Sequence, residues 1–169
     1  MLSNKDIILC SNTFDFIFNY KLGLVNKLKE SFNTITISAP SKNIKFNNFI
    51  NAENIHLKSI GFTRKGLLCL LNFFFYFSKQ LILKKNQIII SHTAYCNILL
   101  LISYYFFGKI NNNFIFIFVS GFGPSRIRNS LRIRFIGRLY LFVLRYFSKV
   151  KNVNIVTLNH FDKNLIKDF

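Results

Sequence analysis

Phe114-Ile-Phe-Ile-Phe-Val119 is an apolar run of strand length that leads straight into Ser120-Gly-Phe-Gly-Pro124 and then into an arginine-rich amphipathic segment. A second short run, Asn154-Ile-Val-Thr-Leu158, follows that segment and opens onto Asn159. Strand, glycine turn, helix and strand make a βαβ unit, whose strands lie parallel and whose ligands collect at the strands' C-terminal ends. The glycine turn is therefore the first candidate site.

Upstream, the same alternation continues. Asp6 to Cys10 reads as a strand, and a single helix is expected from about Phe14 to Ser31, with Phe14, Phe18, Val25, Leu28 and Phe32 on one stripe that Lys21 interrupts. Thr34 to Ser38 is a second strand ending at Ala39-Pro40, and a third is expected at about Asn54 to Lys58. Gly61 to Gly66 is a turn region, followed by a helix from about Lys65 to Lys84, a fourth strand Gln87 to Ser91, a helix Ala94 to Phe107 and a turn Gly108 to Asn113. With helices placed between strands, the pattern predicts an α/β fold: a Rossmann-like parallel sheet with helices on both faces, spanning residues 1–169 as one domain. No repeat, coiled coil or proline-rich linker interrupts it.

The chain carries 23 Lys+Arg against 6 Asp+Glu, a net charge of +17, which favours anionic partners such as lipid headgroups or phosphorylated substrates. Part of that basicity, with the many Asn, Ile and Phe residues, is what AT-rich codons produce. Nucleic acid is not expected, because no helix-turn-helix, zinc finger or RNP-like strand accompanies the charge. Cys10, Cys69 and Cys96 sit at wide spacings inside apolar stretches with no CxxC pair, so buried free thiols in a reducing compartment are expected, and no metal site. Met1 to Asp6 leads directly into Ile7-Ile-Leu-Cys10, too short for a signal-peptide core, and no secretion is expected. Leu67 to Phe77 and Ile98 to Phe107 each fall well short of the roughly 20 apolar residues that cross a bilayer. The cluster Phe73-Phe-Phe-Tyr-Phe77, with Lys79, Lys84 and Lys85 behind it, suits either a core helix or one lying on an anionic membrane.

Several polar residues fall at predicted strand ends. Ser11-Asn-Thr13 occupies the position of a phosphate loop but lacks the GxGxxG glycines, so Ser11 and Asn12 either touch a substrate or lead into a helix that Thr13 caps. His92 directly follows the fourth strand, where it is either a catalytic base or hydrogen-bonding group, or a packing histidine before a helix capped by Thr93. His56, within a strand, and His160, in the first turn of a helix, are weaker candidates. Gly121 and Gly123 leave backbone amides free for an anion, and Arg126, Arg128 and Arg132 follow closely. Arg134, Arg138 and Arg145 lie within an arc of roughly 40° on the next helix, apart from Phe135, Leu139, Phe142 and Tyr146. That basic edge is either a solvated face or a surface for anionic lipid.

Phe14-Asp-Phe-Ile-Phe-Asn-Tyr-Lys-Leu-Gly23, Thr36-Ile-Ser-Ala-Pro40, Ser91-His-Thr-Ala-Tyr-Cys-Asn97, Val119-Ser-Gly-Phe-Gly123 and Leu158-Asn-His-Phe-Asp-Lys-Asn-Leu165 together resemble the N-terminal half of a family 4 glycosyltransferase of the GT-B fold, in the bacterial branch that builds surface polysaccharides on lipid carriers. The resemblance implies an acceptor-binding domain that works with a C-terminal Rossmann-like domain, absent from these residues, which binds the nucleotide-sugar donor. It further implies retaining transfer to a lipid-linked or membrane-associated saccharide, no protein-held metal or other cofactor, and a cytoplasmic location, peripheral at the inner face of the plasma membrane. Ser11, Asn12, His92, Ser120, Gly121, Gly123, Arg126 and Asn159 would line the cleft. Many members carry a histidine where this chain has Ser120, so that role is not transferred. A non-catalytic membrane-associated subunit or fragment needing a separate donor-domain chain is the alternative, and a small integral membrane protein the third.

Overall fold

In the computed structural model, residues 6–40, 54–61, 66–120 and 131–167 are described. Among these residues six strands form one all-parallel sheet: β1 (Asp6–Cys10), β2 (Thr34–Ala39), β3 (Ile55–Ser59), β4 (Ile88–His92), β5 (Phe114–Val119) and β6 (Val153–Thr157), in the order β3-β2-β1-β4-β5-β6. This is the doubly wound Rossmann-like architecture that the alternation predicts. Position in the sheet explains composition. Central β4 is buried at every residue and β1 at all but Asp6, as near-continuous apolar runs require, whereas edge strands β3 and β6 carry exposed His56, Lys58 and Asn154.

Each face of the sheet has its own core. On one, Ile7, Leu9, Ile35, Ile37 and Ile90 pack with Phe14, Ile17 and Val25 of α1 (Phe14–Tyr20) and α2 (Leu22–Lys29). On the other, Ile8, Ile89, Ile115, Ile117 and Val119 pack against α3 (Leu67–Leu83), α4 (Ala94–Phe107), α5 (Leu131–Phe147) and α6 (His160–Lys167). Alternation within β1 and β5 divides their side chains between the two.

The single helix expected from Phe14 to Ser31 is in fact two. The stripe breaks at Lys21, whose amide still donates to the Ile17 carbonyl at 2.8 Å but whose φ of −128° and ψ of 11° leave the helical region, and α2 restarts at Leu22. Phe73 and Phe77 of the aromatic cluster are fully buried, so the core reading holds for them; Phe75 is exposed. All three cysteines are buried and free. Among the described residues no helix is long and apolar enough to cross a membrane.

The turn from α4 to β5 does more than reverse the chain. Asn111 Nδ2 donates to the Leu81 carbonyl at 2.9 Å and also to that of Ile82, and Asn113 Nδ2 donates to Leu81 at 3.1 Å. Asn113 Oδ1 accepts from the Gln87 amide at 2.9 Å. These two buried amides satisfy carbonyls that the end of α3 leaves without helical partners, and thereby fix where β4 begins.

Candidate functional site

The chain leaves β1 toward β2 and leaves β4 toward β5, in opposite directions, although β1 and β4 are neighbours paired Cys10 to Ser91. Such a reversal opens a crevice at the strands' C-terminal ends. Asn12 stands exposed above β1 and Ser120 exposed above β5. Ser11 lies beneath, fully buried, with its amide donating to the Ser38 carbonyl at 3.2 Å and its hydroxyl 3.4 Å from Asn12 Oδ1. Thr13 caps α1 by accepting from the Phe16 amide at 3.1 Å.

His92 is the last residue of β4 rather than the first beyond it. Pleating turns its ring toward α1, against Phe118 at 4.6 Å between centroids and Phe16 at 6.0 Å, and only 1% of it is exposed. Burial, with a smaller contribution from the Lys21 ammonium, lowers its pKa to about 3, so the imidazole is neutral at physiological pH. Nε2 has no hydrogen-bond partner among the described residues. A group so shifted is a weak base, and its Nε2 is both unpartnered among the described residues and buried away from solvent. Lys21 itself was not singled out as a site residue, yet its Nζ lies 5.6 Å from the Phe118 ring centroid, beside His92. Its signal in the sequence was a cation interrupting an apolar stripe.

Thr93, next in the chain, is held at φ 75°, ψ 138°, and its side chain makes no capping bond to α4. A β-branched residue is strained there, and strain of this kind gathers where a structure over-determines a loop. Asn97, fully buried in the first turns of α4, donates from Nδ2 to the Phe118 carbonyl at 3.0 Å and to the Tyr140 hydroxyl at 2.8 Å, tying α4, β5 and α5 together at the crevice.

Other candidates disperse. Asn159 lies beyond edge strand β6, two strands from β4, and its side chain is engaged: Nδ2 donates to Asp162 Oδ2 at 2.8 Å while Oδ1 accepts from the Asp162 amide at 2.7 Å. It caps α6. His160 opens that helix and His56 is exposed on β3, neither near the crevice. Gly121, Gly123 and Arg126 lie outside the described residues, as does the side chain of Arg134. Arg138 is exposed, but Arg145 does not belong to a free basic edge: Nε and Nη2 donate to the Leu165 carbonyl at 3.0 and 2.7 Å, holding the last turn of α6. Among the described residues no group of three or more His, Cys, Asp or Glu is placed to hold a metal ion.

α5 has three sectors. Tyr140, Leu144 and Phe147 are buried, whereas Phe135, Leu139, Phe142 and Tyr146 are exposed, Phe135 and Phe142 by about two thirds (68% and 67%). At about 100° per residue, this exposed aromatic strip adjoins the sector of Arg138. Tyr105 of α4 extends it, 6.4 Å from Tyr146 between ring centroids.

The strand order, parallel ladder and polar strand ends define a Rossmann-like α/β domain. No protein-family model matches the chain, and no curated protein matches it. Among solved structures it is similar in fold to the epimerase Mth375 from Methanothermobacter thermautotrophicus (TM-score 0.54, 12% identity over 92% of this chain and 51% of that one). It is also similar to the Bordetella bronchiseptica enzyme WbmF, solved in complex with NAD+ (TM-score 0.50, 10% identity, 92% and 49%). The chain thus spans about half the length of these structures.

The β1-to-α1 turn does not fit NAD. It has no glycine to let a pyrophosphate approach the backbone, Ser11 is sealed by its bond to β2, and the Thr13 hydroxyl already occupies a first-turn amide of α1.

Proposed function

We propose that the chain is the acceptor-side half of a nucleotide-sugar-dependent glycosyltransferase acting on a lipid-linked saccharide at a membrane surface. The observation that carries this reading is the crevice at the sheet's reversal: it offers exposed Asn12 and Ser120 above a buried neutral His92 in place of a glycine cradle for a dinucleotide. Amide and hydroxyl groups of that kind suit the hydroxyls of a saccharide. The aromatic strip of α5 beside Arg138 supports the membrane half of the proposal, since apolar side chains next to cations suit the headgroup boundary.

Transfer requires donor and acceptor to be oriented together. The donor is bound by a second domain or partner chain facing the crevice. His92 acts in it as a positioning residue whose neutral imidazole accepts a hydrogen bond from an acceptor hydroxyl, not as the base. The burial of His92 also favours a second reading, in which the chain is a non-catalytic subunit that presents acceptor to a separate transferase.

The test is a titration of the isotopically labelled chain by NMR. A polyprenyl-pyrophosphate-linked disaccharide in mild detergent should shift the amides of Asn12, His92 and Ser120 saturably, and NAD+ should not. Saturable shifts at Ser11 to Thr13 with NAD+, and none with the saccharide, would sink the proposal in favour of a dinucleotide-binding domain.

A further inference from the structure

Away from the crevice, the face of the sheet that packs against α3 carries a groove of about 390 Å³ beside edge strand β3. Its floor is Ile8, Thr36 and His56, side chains from three adjacent strands in register. One wall is a stripe of α3 at helical spacing, Tyr76, Lys79, Gln80 and Leu83. Gln87 closes the end that precedes β4, toward the opposite end of the sheet from His92.

The lining has an imbalance of charge. Lys58, Lys79 and Lys84 face it, and among the described residues its one carboxylate is Asp6, whose Oδ2 is already 3.8 Å from Lys84 Nζ. Lys58 and Lys79 are left over. Lys58 Nζ lies 5.3 Å from the centroid of the Tyr76 ring, and the Tyr76 hydroxyl is tied to Ser38 Oγ at 2.6 Å, so the lysine lies along a fixed aromatic wall. The second observation is independent of charge. Gln87 is 5% exposed, its backbone amide is held by Asn113, and its side-chain Oε1 has no partner among the described residues. A buried amide oxygen left without a donor is costly, and a ligand hydroxyl would remove that cost.

We propose that this groove binds a small phosphorylated sugar or polyol, its phosphate held by Lys58 and Lys79 and one of its hydroxyls donated to Gln87 Oε1. The volume is of the size that takes a single small metabolite. Two cations without acids fit a phosphate monoester, and the unpartnered acceptor at the closed end separates a hydroxylated ligand from phosphate alone. The site shares no residue with the crevice and does not rest on the transferase reading.

Calorimetric titration of the full chain tests it, with glucose 1-phosphate, inorganic phosphate and glucose as probes. Glucose 1-phosphate should bind about tenfold more tightly than phosphate, as one added buried hydrogen bond allows, and glucose should not bind measurably. Lys58→Gln combined with Lys79→Gln, both exposed positions, should weaken the two anions by about tenfold or more. Gln87→Leu should reduce glucose 1-phosphate to the affinity of phosphate and leave phosphate unchanged. Equal affinity for the two anions in the unsubstituted chain, no saturable binding at millimolar concentration, or binding that survives the double lysine substitution would each overturn the proposal. Because the lysine variants lie at the surface, they decide the matter even if Gln87→Leu unfolds in a melting control.

Discussion

A buried imidazole without a hydrogen-bond partner makes stability depend on pH. His92 has a folded-state pKa of about 3, below the roughly 6.5 of an unfolded histidine, so between those values the unfolded chain binds a proton that the folded chain refuses. Stability attributable to His92 is whole above pH ~6.5 and falls with pH down to ~3, with a slope approaching about 1.4 kcal/mol per unit. Urea denaturation of the unsubstituted chain and of His92→Phe across that range should therefore show a slope shallower by one proton in the variant, whose ring can still pack against Phe16 and Phe118. Identical slopes would mean that the ring is protonated in the fold. The histidine's place at the end of a strand was legible, because an apolar run stops at it. Its burial was not: the pleat sets the face on which the last residue of a strand lies, but nothing in Ser91-His92-Thr93 records that α1 covers that face there. The strain at Thr93 was hidden for the same reason, since threonine usually avoids positive φ.

Helices and strands were more legible, because a period repeated over several residues outvotes any one of them. α4 and β5 begin and end where the apolar runs predict, and the edge strands differ by a residue at each end. Where two patterns compete, the period fails. α5 has apolar residues both at Tyr140, Leu144 and Phe147 and at Phe135, Leu139, Phe142 and Tyr146, and the sequence marks neither set as the one that meets the sheet. Long-range hydrogen bonding is equally invisible, as with Asn111 and Asn113 reaching carbonyls about 30 residues earlier. The outcome for α5 sharpens the membrane prediction. Phe135→Ser with Phe142→Ser should weaken binding to anionic vesicles by about tenfold or more with little change in melting temperature, because exposed aromatic surface contributes to partitioning and not to the core. Arg138→Ala should weaken it only at low salt. Sedimentation with vesicles measures both; unchanged binding in the aromatic pair would move the contact surface elsewhere.

Taken as a body, the domain is one sheet between two separate cores, and its thiols report on only one. Cys10, Cys69 and Cys96 all belong to the core under α3 and α4. Burial, with Cys96 nearby, pushes the Cys10 thiol well up, and burial pushes Cys96 up to about 12 despite the Thr93 hydroxyl beside it. A thiol reagent should therefore modify the three cysteines together, at the rate of global unfolding measured by circular dichroism, and immediately in urea. Rapid labelling of one thiol in buffer would show that α3 or α4 opens independently of the rest. The sheet's outer margin has a different consequence. β6 pairs only with β5 among the described strands, and a furrow of about 580 Å³ runs along it past Leu158 to Lys163. An unzipped margin of this sort is where copies accrete, and here it is guarded by brevity, at five residues, and by the repulsion of neighbouring cations such as Lys151 and Lys163. Salt removes that repulsion without touching either core, so crowding at high ionic strength, more than warming, is the condition under which this molecule should precipitate while still folded.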